Sequence, residues 1–153
     1  MKFSAKRIIL FAFILMSALS CKKRHIITQD QADENIINKY ISDNNLNAAA
    51  TGSGLYYVIE SQGTGVQPGP KSDVIVNYKG YLTDGTVFDQ KSNGFATNLA
   101  AMIKGWQEGI PYFKKGGKGK LLIPSALGYG PVTVGSIPAN SVLIFDVELV
   151  DVL

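Results

Sequence analysis

Val76-Asn77-Tyr78-Lys79-Gly80-Tyr81-Leu82-Thr83-Asp84-Gly85-Thr86-Val87-Phe88-Asp89 is the stretch from which the fold is read. Its first half continues an alternation that starts at Asp73, with Val74, Val76, Tyr78 and Gly80 at every second place. Successive side chains on a strand point to opposite faces, so this spacing predicts a strand over 73–82 with one covered face. Asp84-Gly85 supplies the residue types that suit a tight hairpin turn, and Thr86-Val87-Phe88 begins the returning strand.

Working outward, 55–59 is rich in β-formers and 63–70 is a Gly/Pro turn. Downstream, a short helix is expected around 104–112, then a strand over 118–123 and a last strand over 142–150. A sheet of this kind has an apolar face that at least one helix must cover. The expected class is therefore α+β, an antiparallel sheet with little helix. No internal repeat or low-complexity tract occurs, and nothing marks a second folded domain.

Ahead of the sheet, Ile36, Ile37, Tyr40 and Ile41 fall on one face of a helix expected from about 30 to 43. Thr28 followed by Gln31 fits a capping box, and Asp30, Asp33 and Glu34 suit a first helical turn. The apolar stripe of this helix can pack on the domain or on a second copy. The stretch 44–54, rich in Asn, Ala and Gly, reads as a linker.

The first twenty residues differ in kind. Lys2, Lys6 and Arg7 precede an apolar run over 8–19 that only Ser17 interrupts, the order of a secretory signal. A spanning helix needs about 20 apolar residues, so cleavage is expected rather than a membrane span. Cys21, the only cysteine, follows Ala18-Leu19-Ser20. This resembles a bacterial lipobox, whose cysteine is acylated and becomes the new N-terminus; the family's usual Leu stands one place late, at Leu19. The organisation expected is an export signal at 1–20, a lipid-anchored tether with a helix at 21–53, and a folded domain at 54–153. Lys22-Lys23-Arg24 carries no aspartate that would retain the protein at an inner membrane, so an outer membrane facing the periplasm is expected.

The formal charge of +3 is carried by the signal; without its three cations, 12 basic residues face 12 acidic ones. Such a balance gives no electrostatic footing for a nucleic-acid partner. The lone histidine, His25, lies in the tether, so no His-based triad or metal cluster can form in the domain. Asp146 and Glu148 alternate with Val147 and Leu149 as on a half-exposed strand, which does not suit paired-carboxylate chemistry. The glycine runs at 63–68 and 115–120 miss the spacing of phosphate-binding loops and read as turns. Lys114, Lys115, Lys118 and Lys120 form a local basic patch that a solvated loop explains equally well.

Three further blocks accompany the opening stretch: Ile103-Lys-Gly105-Trp106-Gln-Glu108-Gly109, Ile123-Pro124-Ser-Ala-Leu-Gly128-Tyr129-Gly130, and Ile137-Pro138-Ala-Asn140-Ser-Val-Leu143-Ile-Phe145-Asp146-Val147-Glu148-Leu149. Together, in this order and spacing, they resemble the FKBP family, the macrolide-binding peptidyl-prolyl isomerases, over about 54–153. The resemblance implies an antiparallel sheet of five or six strands curled around one short helix, with an apolar pocket between them. The implied pocket residues are Tyr78, Phe88, Asp89, Met102, Ile103, Trp106, Tyr129, Ile137 and Phe145. Trp106 would be the floor and Phe95 a further aromatic wall.

Proline-containing polypeptides are the substrate class the resemblance implies, with macrolides of the tacrolimus or rapamycin type as ligands and no cofactor. By analogy with the family, the Ile103 N–H and the Tyr129 hydroxyl would bond substrate carbonyls, and Asp89 would orient the pocket. The chain departs from the family at Asn77, where histidine is common, and in the loop 131–136, which is one residue short and lacks the usual histidine. A competing expectation is a non-catalytic chaperone or assembly subunit that holds a partner with the same fold. The aromatic set, with Tyr129 and Asp89 beside Trp106, favours the enzyme. Oligomeric state and the client protein stay open.

Overall fold

The computed structural model describes residues 27–153, so the expected export segment, Cys21 and His25 lie outside the described residues. The first helix, α1 (Gln29–Asp43), starts on the capping box expected of it. Thr28 Oγ1 accepts the Gln31 N–H at 3.3 Å, and Gln31 Oε1 accepts the Thr28 N–H at 3.0 Å. Two donors that open every helix without partners are satisfied reciprocally.

The strands are β1 (Ala49–Ala50), β2 (Tyr56–Ser61), β3 (Asp73–Leu82), β4 (Val87–Asn98), β5 (Lys118–Ile123) and β6 (Leu143–Val152). They form one antiparallel sheet in the order β1-β2-β5-β6-β3-β4. Between β4 and β5 lies α2 (Lys104–Gly109), continued by a 3-10 turn at Ile110–Tyr112. The β3–β4 hairpin closes at Asp84-Gly85, where Gly85 has φ +89° and the Leu82 N–H donates to Thr86 O at 2.9 Å. The stretch expected as a linker is partly ordered against the sheet: β1 pairs with β2, while Leu46 and Ala48 pack beside α1.

Each face of the sheet has its own apolar cluster. On one face, Leu121 and Ile123 of β5, Val74 and Val76 of β3, and Leu143, Phe145, Val147 and Leu149 of β6 pack with Trp106, Ile110 and Phe113. On the other, Val58, Leu122, Val142 and Ile144 pack beneath Ile37 of α1, with Tyr40 and Ile41 alongside. The runs Leu121-Leu122-Ile123 and Leu143-Ile144-Phe145 are buried without alternation because helices cover both sides of them. Ile37, Tyr40 and Ile41 of the α1 stripe therefore pack on their own domain, while Ile36, expected on the same face, is 41 % exposed.

Beyond the reach of α1, that outer face turns ionic. The rows Lys120–Asp146–Lys79 and Lys118–Glu148–Asn77 run across β5, β6 and β3. Lys118 Nζ lies 3.0 Å from Glu148, Lys115 Nζ 2.6 Å from Asp151, and Lys120 contacts both Asp146 and Glu60. Three of the four lysines of the basic patch are thus neutralised by carboxylates. Burial alone would lower the Lys120 ammonium, but the bond and charge of Asp146 outweigh it and raise the group. Among the described residues no helix is long and apolar enough to cross a membrane.

Candidate functional site

Close packing of α2 on the sheet sets the floor of the site. A Cβ added at Gly105 would lie 2.5 Å from Ile123, and one at Gly109 2.6 Å from Leu121. These two glycines, one helical turn apart, let α2 approach β5 closely and bury Trp106 to 1 % exposure. Ile103, just before the helix, accepts N–H bonds from Trp106 and Gln107 at 3.0 and 3.2 Å. Its own N–H has no backbone partner among the described residues. Gln107 Nε2 holds the Met102 carbonyl at 2.7 Å and so fixes the chain leading into the helix.

Phe88 and Asp89 are neighbours in sequence, yet both line the same cavity. A regular strand forbids this, since adjacent side chains face opposite ways. The ladder supplies the reason: Gly80 pairs with Asp89 and Tyr81 with Val87, which leaves Phe88 as the extra residue of a β-bulge. Gly80 makes room for the result. A Cβ there would lie 2.5 Å from the Phe88 ring and 2.7 Å from the Phe145 ring.

Four aromatic rings meet around this point. Trp106 stands edge-on to Tyr78 at 5.1 Å and to Phe145 at 5.4 Å, and Phe88 stands edge-on to Phe145 at 5.5 Å. Such pairs contribute about 0.5–1.5 kcal/mol each beyond burial, so the rings hold one another in place. The Trp106 indole Nε1 is buried and has no hydrogen-bond partner among the described residues. The cavity they border measures about 280 Å³ and is also lined by Met102, Ile103, Tyr129, Val134, Gly135, Ser136 and Ile137.

The polar groups are few. The Tyr78 hydroxyl donates to Asp89 Oδ2 at 2.6 Å. Burial, followed by that bond and the charge of Asp89, pushes the Tyr78 phenol well above its ordinary value, so it stays a donor at any physiological pH. Tyr129 is 37 % exposed at the rim of the cavity. The segment after it folds back as a small hairpin, in which Val134 and Ile137 exchange N–H bonds at 3.0 and 2.9 Å and Asn140 N–H reaches Gly130 O at 2.8 Å.

Nine of the ten side chains expected at the pocket therefore line one cavity: Tyr78, Phe88, Asp89, Met102, Ile103, Trp106, Tyr129, Ile137 and Phe145. Phe95 is a correction. It pairs with Val76, two residues along β3 and four along β4 from the Tyr78–Lys91 pair, and packs its ring against the edge of Tyr78 at 5.7 Å without lining the cavity. The cause is a second irregularity in β4 over 92–94, where the Gly94 N–H donates to the Asn77 side chain at 2.8 Å. Val134, Gly135 and Ser136 line the cavity without having been expected there. The only signal for them was their place between Tyr129 and Ile137. Among the described residues no set of three His, Cys, Asp or Glu side chains converges as metal ligands would.

Comparison with known proteins bears on the family and the fold. The sequence profile of the family described as FKBP-type peptidyl-prolyl cis-trans isomerase matches residues 65–150. The FKBP-type peptidyl-prolyl cis-trans isomerase FkpA of Buchnera aphidicola subsp. Schizaphis graminum is 48 % identical over 106 residues, covering 67 % of this chain and 42 % of that protein. FkpA of Escherichia coli K12 is 43 % identical over 117 residues, covering 74 % and 43 %. The chain thus spans less than half the length of these relatives. Among solved structures, FkpA from Escherichia coli superposes with TM-score 0.68 at 35 % identity, over 99 % of this chain and 74 % of that one. A peptidyl-prolyl cis-trans isomerase from Pseudomonas syringae gives TM-score 0.70 at 27 % identity, over 83 % and 98 %.

Proposed function

Because this chain belongs to the FKBP-type peptidyl-prolyl cis-trans isomerase family, we propose that it accelerates rotation about X-Pro bonds in exported polypeptides. The observation that carries the proposal is a ring of four aromatic side chains beside the Ile103 N–H, which has no backbone partner among the described residues. Rotation about an X-Pro bond faces a barrier of about 18–20 kcal/mol and takes tens to hundreds of seconds unaided. No bond between heavy atoms forms or breaks, so the protein needs only to bind the twisted amide better than the planar one. Twisting ends amide resonance and makes the carbonyl less polar, which an apolar cavity favours.

In this mechanism Trp106, Phe88, Phe145 and Ile137 hold the proline ring, and Met102 and Ile103 line the place of the preceding side chain. The Ile103 N–H and the Tyr129 hydroxyl donate to substrate carbonyls. Asp89, held by Tyr78 at 2.6 Å, sets the field across the cavity. A thousandfold acceleration asks for about 4.1 kcal/mol of differential stabilisation, within the range of these contacts. The same apolar cavity suits a macrolide of the tacrolimus or rapamycin type, which would then inhibit competitively.

The test is a protease-coupled assay on a short peptide with an apolar residue before proline. Acceleration that a macrolide suppresses is expected; a folded protein that leaves the exchange at its uncatalysed rate removes the proposal in favour of a holding role. The proposal extends to the cell envelope. The charged and apolar order of residues 1–20 and the position of Cys21 support export, acylation of Cys21, and attachment to an outer membrane facing the periplasm. Cys21→Ser should then release the protein to a soluble fraction or leave the signal uncleaved. Failure to find labelled fatty acid on the wild-type chain rejects the anchor and leaves the isomerase proposal untouched.

A further inference from the structure

Asp33 is a fully buried carboxylate on α1, and it makes no ion pair among the described residues. Burying an unpaired carboxylate is costly unless hydrogen bonds replace its water. Three donors do so. Ser125 gives Asp33 Oδ2 both its N–H, at 2.8 Å, and its hydroxyl, at 2.6 Å. Gln29 Nε2 donates to Oδ1 at 2.7 Å. Asp33 stands one turn before Ile37 on the buried face of α1, where an apolar residue would have served packing alone.

What Ser125 does next gives the contact its meaning. Its carbonyl accepts the Gly128 N–H at 3.0 Å and the Gly130 N–H at 2.8 Å, the two residues that flank Tyr129. Ser125 thus spends its donors on α1 and its acceptor on the turn that presents Tyr129 to the cavity. Gly128 is itself tightly seated, since a Cβ there would lie 2.9 Å from Leu143. From the helix to the backbone on either side of Tyr129 the path is two hydrogen bonds long.

We infer that Asp33 is a positioning residue: through Ser125 it holds the turn that carries Tyr129, which makes α1 a working part of a site on the opposite face of the sheet. The catalytic side of this inference rests on the isomerase proposal, while the structural side does not. Charge-assisted bonds to a buried carboxylate are short and directional, so they fix the turn more tightly than apolar contact can. A donor displaced by even 1 Å from a substrate carbonyl loses much of its effect.

The experiment is a double-mutant cycle on the whole chain, with amide hydrogen exchange as a second readout. Asp33→Ala and Ser125→Ala should each lower kcat/KM, by about tenfold and about threefold respectively, with the loss falling in kcat and KM little changed. In a Tyr129→Phe background the same changes should cost less than about twofold, because the group they position is gone. Ile37→Ala removes apolar contact beneath α1 but none of the Asp33–Ser125 bonds, so the folded fraction should keep kcat/KM within about twofold, and a loss as large as that of Asp33→Ala overturns the inference. Equal losses with and without the Tyr129 hydroxyl, or no loss at all, overturn the inference. Should Asp33→Ala fail to fold, Ser125→Ala, which deletes one hydroxyl, carries the cycle alone. If the wild-type chain shows no isomerisation, the functional proposal fails separately, and amide exchange in Asp33→Ala and Ser125→Ala against wild type decides whether Asp33 holds the Tyr129 turn. Faster exchange at Gly128 and Gly130, by about tenfold relative to strand amides, supports it, and unchanged exchange overturns it.

Discussion

Gly80 is flanked across the sheet by Asp89 on β4 and by Phe145 on β6, so one backbone position without a side chain organises the two groups that differ most in kind. Phe145 is 4 % exposed, buried as core residues are, although its ring also borders the cavity. Phe145→Ala should therefore cost stability near the core range, about 3–5 kcal/mol, as well as activity. Asp89 is exposed and its carboxylate meets the Tyr78 hydroxyl, so Asp89→Val should leave unfolding free energy within about 1 kcal/mol while kcat/KM falls at least tenfold. Urea unfolding and peptide kinetics on both variants check this pair. An Asp89→Val protein with unaltered kcat/KM takes Asp89 out of the mechanism. Gly80→Ala is the sharper probe of placement, because its methyl would press on the Phe88 and Phe145 rings together. Overpacking of this kind costs about 1–3 kcal/mol, and activity should suffer more than stability because both displaced rings line the cavity.

At the scale of elements, the strands whose alternation follows a single covered face were legible in the sequence, β3 above all, and so was α1 with its capping pair. Less could be read where two faces are covered or the ladder breaks. Leu121-Leu122-Ile123 has no alternation to show which side meets α1, and β1 is two alanines whose pairing depends on β2 rather than on their own propensity. Bulges leave no mark in composition: Phe88 joins Asp89 at the cavity, and Phe95 stays behind Tyr78, because of ladder shifts that depend on partners far along the chain. The family resemblance located most of the pocket where periodicity could not, and it missed the 134–136 hairpin because backbone bonds to Ile137 shape that loop. The ionic rows of the outer face allow a pH prediction. The Asn77 amide, then Lys118, hold the Glu148 carboxyl below its ordinary value of 4.5, while burial works in the opposite direction. A carboxyl lowered in the folded state binds its proton more readily when unfolded, so its stabilisation is complete above the ordinary glutamate range and is lost as pH falls through the lowered value. Glu148→Gln should flatten the decline of stability below about pH 4.5, measured as urea midpoints across an acid series. An acid series identical to wild type means that the pair contributes nothing, the common result for exposed ion pairs.

For the molecule as a whole, the two clusters divide the labour: one face of the sheet with α2 builds the cavity, and the other depends on α1 for its cover. Every residue that lines the cavity lies beyond Gly54, from Tyr78 to Phe145. A chain beginning at Gly54 would keep that set intact and lose α1 and β1, leaving Val58, Leu122, Val142 and Ile144 without the helix that now buries them. Full burial of one aliphatic side chain stabilises by about 1.5–3 kcal/mol, and Ile37 is itself completely buried. Ordering α1 costs conformational entropy that the longer chain must offset, which reduces the difference. The shortened chain should accordingly be less stable than the 27–153 chain by about 2–4 kcal/mol, with a lower urea midpoint and a smaller slope, since less surface is exposed on unfolding. Its uncovered face should also promote self-association, visible as a concentration-dependent mass in light scattering. Residual isomerisation is expected, because the aromatic ring set does not involve α1, but at a lower kcat/KM than the longer chain if Ser125 has lost Asp33. A 54–153 chain that stays monomeric and unfolds at the same urea concentration as the 27–153 chain makes α1 an appendage, and its apolar stripe must then act elsewhere than on this sheet.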